Sequence, residues 1–371
     1  MNEAYTNLNE NQIAFPNLGI ELEADPTAFT LFGLNIQWYG LLITLGLLLA
    51  LVYCFSQMKR YGLNPDRAID AILGGIVGGI VGARLYYVIL EWDRYADHPI
   101  DILNLRQGGL AIYGGIIGAV LVGGIVAKIR KVRLLPLLDL AGQGFLIGQC
   151  IGRWGNFFNQ EAFGCNTDSL FGMTGGKIQS WISNVYINTN CYDKLGVALD
   201  PDLPVHPCFL YESVWCFAGF ILLAVTARKF RKFDGQIFLM YIAWYGLGRS
   251  FIEGLRTDSL VLGNIRVSQA LAILCFVVAV ILLIVIGSKV RRMGVDYQLY
   301  VHTEESRQMI REAEQRRQNS RKHQKMQEEV ASTETSADVY KTESAKEAPI
   351  PDETNEANQE KTADADDMKE E

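Results

Sequence analysis

No lysine or arginine precedes Lys59, so no basic region leads into the first apolar run of this 371-residue chain, and no cleavable signal peptide is expected. Histidine is scarce. Seven cysteines are scattered without a CxxC pair or a Cys/His spacing that would suit zinc, so no metal site is expected. Cys54, Cys150, Cys208, Cys216 and Cys275 fall in or beside apolar runs, where a thiol packs as a small hydrophobe. Cys165 and Cys191 share a polar loop and are candidates for a disulfide, although sequence alone does not set their separation. The net charge of −7 sits largely in the tail, and no nucleic-acid partner is expected.

What is abundant is apolar sequence. Runs recur at 36–57, 68–90, 108–127, 134–151, 209–227, 237–251 and 267–287, each nearing the roughly 20 residues that cross a bilayer. The fourth and sixth are short or interrupted by polar groups. The expectation is an all-α polytopic membrane protein with about seven transmembrane helices over residues 35–288. An outer leader (1–34) is expected to hold one short strand around Ile20 to Leu22, and an outer cap loop (165–205) some strand around Ser183 to Thr189. Residues 289–371 read as a charged, largely disordered cytoplasmic tail, helical to about Gln327.

Basic residues follow the first, third, fifth and seventh runs: Lys59, Arg60 and Arg67; Lys128, Arg130, Lys131 and Arg133; Arg228, Lys229, Arg231 and Lys232; Lys289, Arg291 and Arg292. The positive-inside rule then puts the amino terminus outside and the carboxyl terminus in the cytoplasm. Glycines at every fourth residue (Gly74, Gly78, Gly82; Gly114, Gly118; Gly144, Gly148, Gly152) let helices approach closely in lipid. The likeness of 78–83 to 114–119 is read as shared packing chemistry rather than an internal repeat.

The polar residues gather toward the outer side. Arg84, Arg153, and Arg249 with Glu253 and Arg256 end the even-numbered spans, with spacings of four and three that put the last three on one helical face. Tyr113 and His206 sit near the starts of the third and fifth. Polar groups at a bilayer edge are costly, and arginines with amides nearby suit a phosphate or carboxylate. Lined by Arg153, Arg249, Arg256 and Arg84, with Glu161 and Glu253 orienting guanidinium groups, such a cavity is an anion site within reach of lipid. The structural alternatives are a snorkelling Arg153 and Arg–Glu pairs that merely set helix register.

The stretch Gly152-Arg153-Trp154-Gly155-Asn156-Phe157-Phe158-Asn159-Gln160-Glu161-Ala162-Phe163-Gly164 resembles the signature of the prolipoprotein diacylglyceryl transferase family. Trp38-Tyr39-Gly40, Gly108-Gly109-Leu110 leading to Tyr113-Gly114-Gly115, His206-Pro207 with Leu210-Tyr211-Glu212, and Gly248-Arg249 with Glu253 are similar too, in the right order. The resemblance implies a bacterial inner- or plasma-membrane transferase needing neither metal nor organic cofactor. Its substrates would be phosphatidylglycerol, drawn from membrane lipid, and prolipoprotein signal peptides with a lipobox cysteine; the products are a thioether and glycerol phosphate. It further implies that Arg153 and Arg249 hold the lipid phosphate, while Asn156, Asn159, Glu161, Gly164, Glu253 and Tyr39 shape the site. Many members carry histidine where this chain has Tyr113, so the base is open between Tyr113, His206, Glu161 or Glu253 where not committed to arginines, and none at all. A transporter or flippase for anionic lipid is the rival reading, because polar broken helices and an arginine-lined cavity serve both.

Overall fold

The computed structural model describes residues 5–104, 108–186, 198–259, 261–262 and 265–344. Residues up to Ala313 form one compact unit, and those from Glu314 a second, helical over its described part.

Seven long helices make the bundle: α1 (Trp38–Gln57), α2 (Pro65–Leu90), α3 (Ile112–Ile129), α4 (Leu134–Asn159), α5 (Cys208–Lys229), α6 (Gln236–Leu255) and α7 (Val267–Met293). Six of them, all but α6, are long and apolar enough to cross a membrane. The expected count of seven spans is therefore met as helices but not as apolar spans. The 20 residues of α6 include Tyr241, Trp244, Tyr245, Arg249 and Glu253, which lower its apolarity. It packs against α4, α5 and α7 instead of relying on lipid.

Helix α4 is the axis. It touches α1, α5 and α6, and 44% of its apolar window is buried against 11% for α3. The glycine pattern explains a second contact: the two similar hexapeptides, 78–83 and 114–119, face one another across α2 and α3. A Cβ at Gly82, Gly114 or Gly118 would run into a carbonyl of the opposite helix. Small side chains here let the backbones touch and gain dispersion contacts that a larger residue would forbid.

At one end of the bundle the chain builds a cap. Strands β1 (Gln12–Phe15) and β2 (Ile20–Glu23) pair antiparallel, and β1 also pairs with β5 (Thr174–Gly175), while β3 (Thr27–Leu31) and β4 (Leu34–Gln37) make a separate hairpin. The expected strand at Ile20 to Leu22 is β2. Leader and cap loop, expected as separate segments, share one sheet and one core: Ile13 and Phe15 pack with Phe157, Phe163, Ile178 and Phe209. Of the strand expected around Ser183 to Thr189, the residues to Tyr186 are instead a π-helical turn, Ile182–Tyr186, that continues a short helix, Gly176–Trp181, and 187–189 lie outside the described residues. Cys165 carries a free thiol; its candidate partner Cys191 lies outside the described residues.

The other end carries the basic loops. α2 starts there on a strong signal, with Pro65 at its first position and the Asn64 side chain accepting from the amides of Asp66 and Arg67. The start of the tail, where a helical stretch to about Gln327 is expected, is docked on the bundle. After α7, Tyr300 and Met309 enter the core formed by Met58, Tyr61, Leu63, Val132 and Leu140. Ser306 Oγ donates to Gly62 O (2.8 Å), Glu305 pairs with Arg133 (2.6 Å), and the amide of Tyr300 donates to Asp234 Oδ2 (2.8 Å). Three loops are thus tied by one segment. Average composition hides it because a few apolar anchors suffice when the surface they dock on already exists. Helix α8 (Glu304–Ser344) supplies only its first turns to this unit, and residues 345–371 lie outside the described ones.

Candidate active site

Two helices are clamped before any charge is placed. Trp215 on α5 and Trp244 on α6 stack at 4.3 Å between centroids, and each indole donates to the other's carbonyl at 2.9 Å. Such reciprocal bonds satisfy buried donors and fix the register of α5 on α6. One turn before Trp215 stands Glu212; one turn beyond Trp244 stands Arg249. The clasp makes them meet.

Glu212 is 4% exposed and is the hub. Its Oε1 accepts from Arg249 at 2.6 Å and lies 3.8 Å from Arg256, and its Oε2 is 2.6 Å from Arg153 Nε. Arg249 also pairs with Glu253 at 2.5 Å, one helical turn on. Arg256 forks onto Asp258 with two bonds, 2.8 and 2.5 Å. Burial pushes the Asp258 carboxyl up, but those bonds and the Arg256 charge outweigh it and hold it below the usual carboxylate range. Among the described residues, three guanidinium groups thus face three carboxylates, Glu212, Glu253 and Asp258. The cluster is balanced rather than strongly positive.

Its members are not equally occupied. Both terminal nitrogens of Arg249 lie against carboxylates, whereas Arg153 meets Glu212 through Nε as an ion pair without hydrogen-bond geometry, and its NH1 and NH2 make no hydrogen bond among the described residues. Arg153 is also the most open of the three arginines, at 23% side-chain exposure. Behind the hub, between Trp215, Cys216, Tyr245, Gly248 and Ile252, the void is about 10 Å³, room for one water at most.

The signature stretch ends α4 by a sharp device. Gln160 and Ala162 both adopt positive φ (54° and 58°), uncommon for residues with a Cβ. The Gln160 side chain compensates, donating to Glu10 O (2.6 Å) and accepting from the Lys177 amide (3.0 Å) in the cap. The turn folds Glu161 back, its amide donating to Asn156 O at 3.0 Å. Its carboxylate accordingly receives the Asn156 and Asn159 amides at 2.8 and 3.3 Å. Among the described residues Glu161 pairs with no guanidinium, contrary to the orienting role expected of it, whereas Glu253 pairs with Arg249. Gly164 is required by space: a Cβ there would lie 2.8 Å from His206 Cβ and 3.0 Å from Leu255 O. Gly155 likewise receives Tyr39, whose ring would sit 2.6 Å from an added Cβ, while Trp38 stacks on Phe158 at 5.0 Å.

Two expected members stand apart. Arg84 donates all five of its N–H groups to carbonyls, those of Asp101, Ile102, Asn104, Gly108 and Gly109, at 2.7 to 3.0 Å. It pins the segment between α2 and α3 and has no donor left for an anion. Tyr113 is 43% exposed at the start of α3, with no hydrogen bond among the described residues. His206 is half-buried at the cap, its Nδ1 3.1 Å from Tyr211 OH, and burial lowers its pKa. Sequence reasoning missed Glu212 as the hub, the tryptophan clasp, and Arg266, whose NH1 caps the end of α6 through Glu253 O, Gly254 O and Arg256 O. The Leu-Tyr-Glu tripeptide ending at Glu212 was the one available signal.

Fold and cluster together define a polytopic membrane protein with a buried arginine–carboxylate hub at the capped end of its helices. A sequence model described as prolipoprotein diacylglyceryl transferase matches residues 26–285. Proteins named phosphatidylglycerol–prolipoprotein diacylglyceryl transferase from Bacillus cereus (strain Q1) and Bacillus anthracis (strain CDC 684 / NRRL 3495) are each 43% identical over 269 residues, 72% of this chain and 94% of theirs. The chain belongs to the prolipoprotein diacylglyceryl transferase family.

Proposed function

We propose that this chain transfers the diacylglyceryl group of phosphatidylglycerol to the lipobox cysteine thiol of prolipoproteins, and that Arg153 grips the lipid phosphate. The observation that carries the second part is the ion pair of Arg153 Nε with Glu212, beside which its NH1 and NH2 make no hydrogen bond among the described residues. A planar fork held at one edge presents two parallel donors to a phosphate at the other. Arg249, spent on Glu212 and Glu253, holds the hub in place and acts on the phosphate through it.

The step is a displacement at carbon. Sulfur bonds to the glycerol carbon of the diacylglyceryl group, the carbon–oxygen bond to phosphate breaks, and glycerol phosphate departs with the electron pair. The thiol proton leaves to solvent as the thiolate forms. Charge grows on the phosphate oxygens, and donors already aimed there lower the barrier without having to reorganise. The hub's charges balance, so what would acidify an entering thiol is the nearby Arg153 guanidinium alone. In this reading no dedicated base is required: Tyr113 stands outside the hub, and His206, with its pKa lowered, is a weak one.

The basic loops give the orientation we propose: cap and hub outside, the loops bearing Arg60, Arg130 and Arg231 in the cytoplasm. Both substrates then reach the hub from the outer side of the bilayer, the lipid sideways from its leaflet. Family membership favours transfer over the flippase reading. The test is to incubate membranes holding this chain with phosphatidylglycerol and a lipobox peptide and to follow the diacylglyceryl mass increment. Arg153→Ala should abolish it, and Arg153→Lys should lose most of it because a point charge cannot replace the fork. Full activity in Arg153→Lys would defeat the assignment.

A further inference from the structure

The hairpin between the cap sheet and α1 is two-faced. Its register sets Phe29 opposite Ile36 and Leu31 opposite Leu34, with Thr30 opposite Asn35 and Thr27 opposite Gln37. Alternation along a strand puts the first two pairs on one side of the ribbon and Thr30–Asn35 on the other, and the irregularity between Thr27 and Phe29 brings the Thr27–Gln37 pair onto that second side. The polar side is tied to itself: Thr30 Oγ1 donates to Asn35 Oδ1 at 2.8 Å, and Gln37 Nε2 to Thr27 Oγ1 at 3.4 Å. Among the described residues the apolar side is only partly covered by protein. Phe29, Leu31 and Leu34 are each about half exposed, and Phe32, at the tip, is 95% exposed. The tip turns through left-handed Phe32 and Gly33 (φ 50° and 77°), so a phenylalanine is held out in a conformation that a non-glycine residue rarely adopts.

Two further observations say what covers that side. β4 runs without a break into α1: Gln37 ends the strand and Trp38 begins a membrane-spanning helix. The base of the hairpin therefore lies where α1 meets the bilayer surface, and it is held there by the Trp38 amide donating to Pro26 O (2.9 Å) and by Trp38 stacked on Phe158. No charged residue occurs between Asp25 and Lys59, so nothing on the hairpin resists the headgroup–acyl boundary. A two-stranded ribbon cannot span hydrocarbon, since its outer edges carry unpaired backbone groups. It can lie flat with one face down.

We propose that the hairpin Thr27–Gln37 is a lipid-seated foot: its Phe29/Leu31/Leu34/Ile36 face and the Phe32 tip rest in the acyl boundary of the leaflet in which α1 begins. It holds the start of α1, and with it Trp38 and Tyr39 against the signature helix, at a set depth. This stands independently of the chemistry proposed for the hub.

A photoreactive benzophenone side chain placed at one position at a time, in the full chain in native membranes, tests it. Thr30 and Leu31 are adjacent and belong to opposite faces, so the comparison is internal. Irradiation should attach phospholipid at Leu31 and at Phe32 at least about fivefold more than at Thr30, as alternating faces require. Leu48, exposed on α1, serves as the lipid-facing reference. Adducts from Leu31 or Phe32 to a second copy of the chain, or to another protein, would make this face a protein-docking surface and overturn the proposal. Equal lipid labelling at Thr30 and Leu31, or none at Phe32 beside a strong signal at Leu48, would overturn it as well.

Discussion

Arg153 Nε and Glu212 Oε2 lie 2.6 Å apart, one from the end of α4 and the other from the start of α5. The pair sets which edge of the guanidinium is held and which is offered. Removing its carboxylate should therefore hurt chemistry more than affinity. Glu212→Gln keeps the shape and loses the charge; turnover in the peptide-lipidation assay is expected to fall about 100-fold, the usual cost of disturbing one preorganised donor. Glu212→Ala should in addition lower the melting temperature, since it strands buried arginines, a loss of about 3–5 kcal/mol for a broken buried pair.

Tyr113→Phe should leave turnover within about twofold of the unsubstituted chain. The hydroxyl is exposed and makes no hydrogen bond among the described residues, so nothing about it is prepared for proton transfer. A loss of 100-fold or more would place it in the reaction.

Arg84→Gln should act on stability alone. Five carbonyl acceptors lose their donor, and hydrogen bonds to a charged group are each worth about 1.5–3 kcal/mol. Thermal unfolding in detergent should shift down by many degrees, while turnover per folded molecule stays unchanged.

Stopping the chain after Ala313 should leave melting temperature and activity intact, whereas stopping after Met293 should lower both. The second removes Tyr300, Glu305, Ser306 and Met309, which tie the loops before α2, α4 and α6. Asp234, bonded to Tyr300, also pairs with Arg231 at 2.7 Å, so the loss reaches the start of α6. Differential scanning fluorimetry of the two truncations separates the outcomes.

Acidification should loosen the cap. Burial lowers the His206 pKa below 6.5, so the unfolded chain binds more protons between the two values, and stability falls as pH drops through that window. Hydrogen-exchange protection at the amides of 164–166, Val205, His206 and Cys208, corrected for the intrinsic pH dependence of exchange, should fall below about pH 6.5. His206→Asn should flatten that dependence.

The seven helices, the glycine contact of α2 with α3 and the family signature were legible in the sequence because each is a local pattern: runs of apolar residues, a four-residue spacing, thirteen residues in a row. Arg153, Arg249 and Glu253 were legible as candidates for the same reason, since charges stand out in an apolar background. The arginines were not distinguishable from one another. Arg84 and Arg153 look alike in sequence, yet one is saturated by five carbonyls and the other keeps a free edge.

That difference comes from tertiary packing. Glu212 became the hub only because two tryptophans, distant in the chain, lock α5 onto α6 and bring its carboxylate between Arg153 and Arg249. The folded start of the tail is of the same kind: Tyr300 and Met309 are apolar residues in charged surroundings, and only the finished loop surface gives them somewhere to dock. Sequence determined what this chain is made of and that it enters a membrane, because hydrophobicity is a property of each residue in turn. Which guanidinium is held and which is free depended on angles and distances between helices, and no residue carries those by itself.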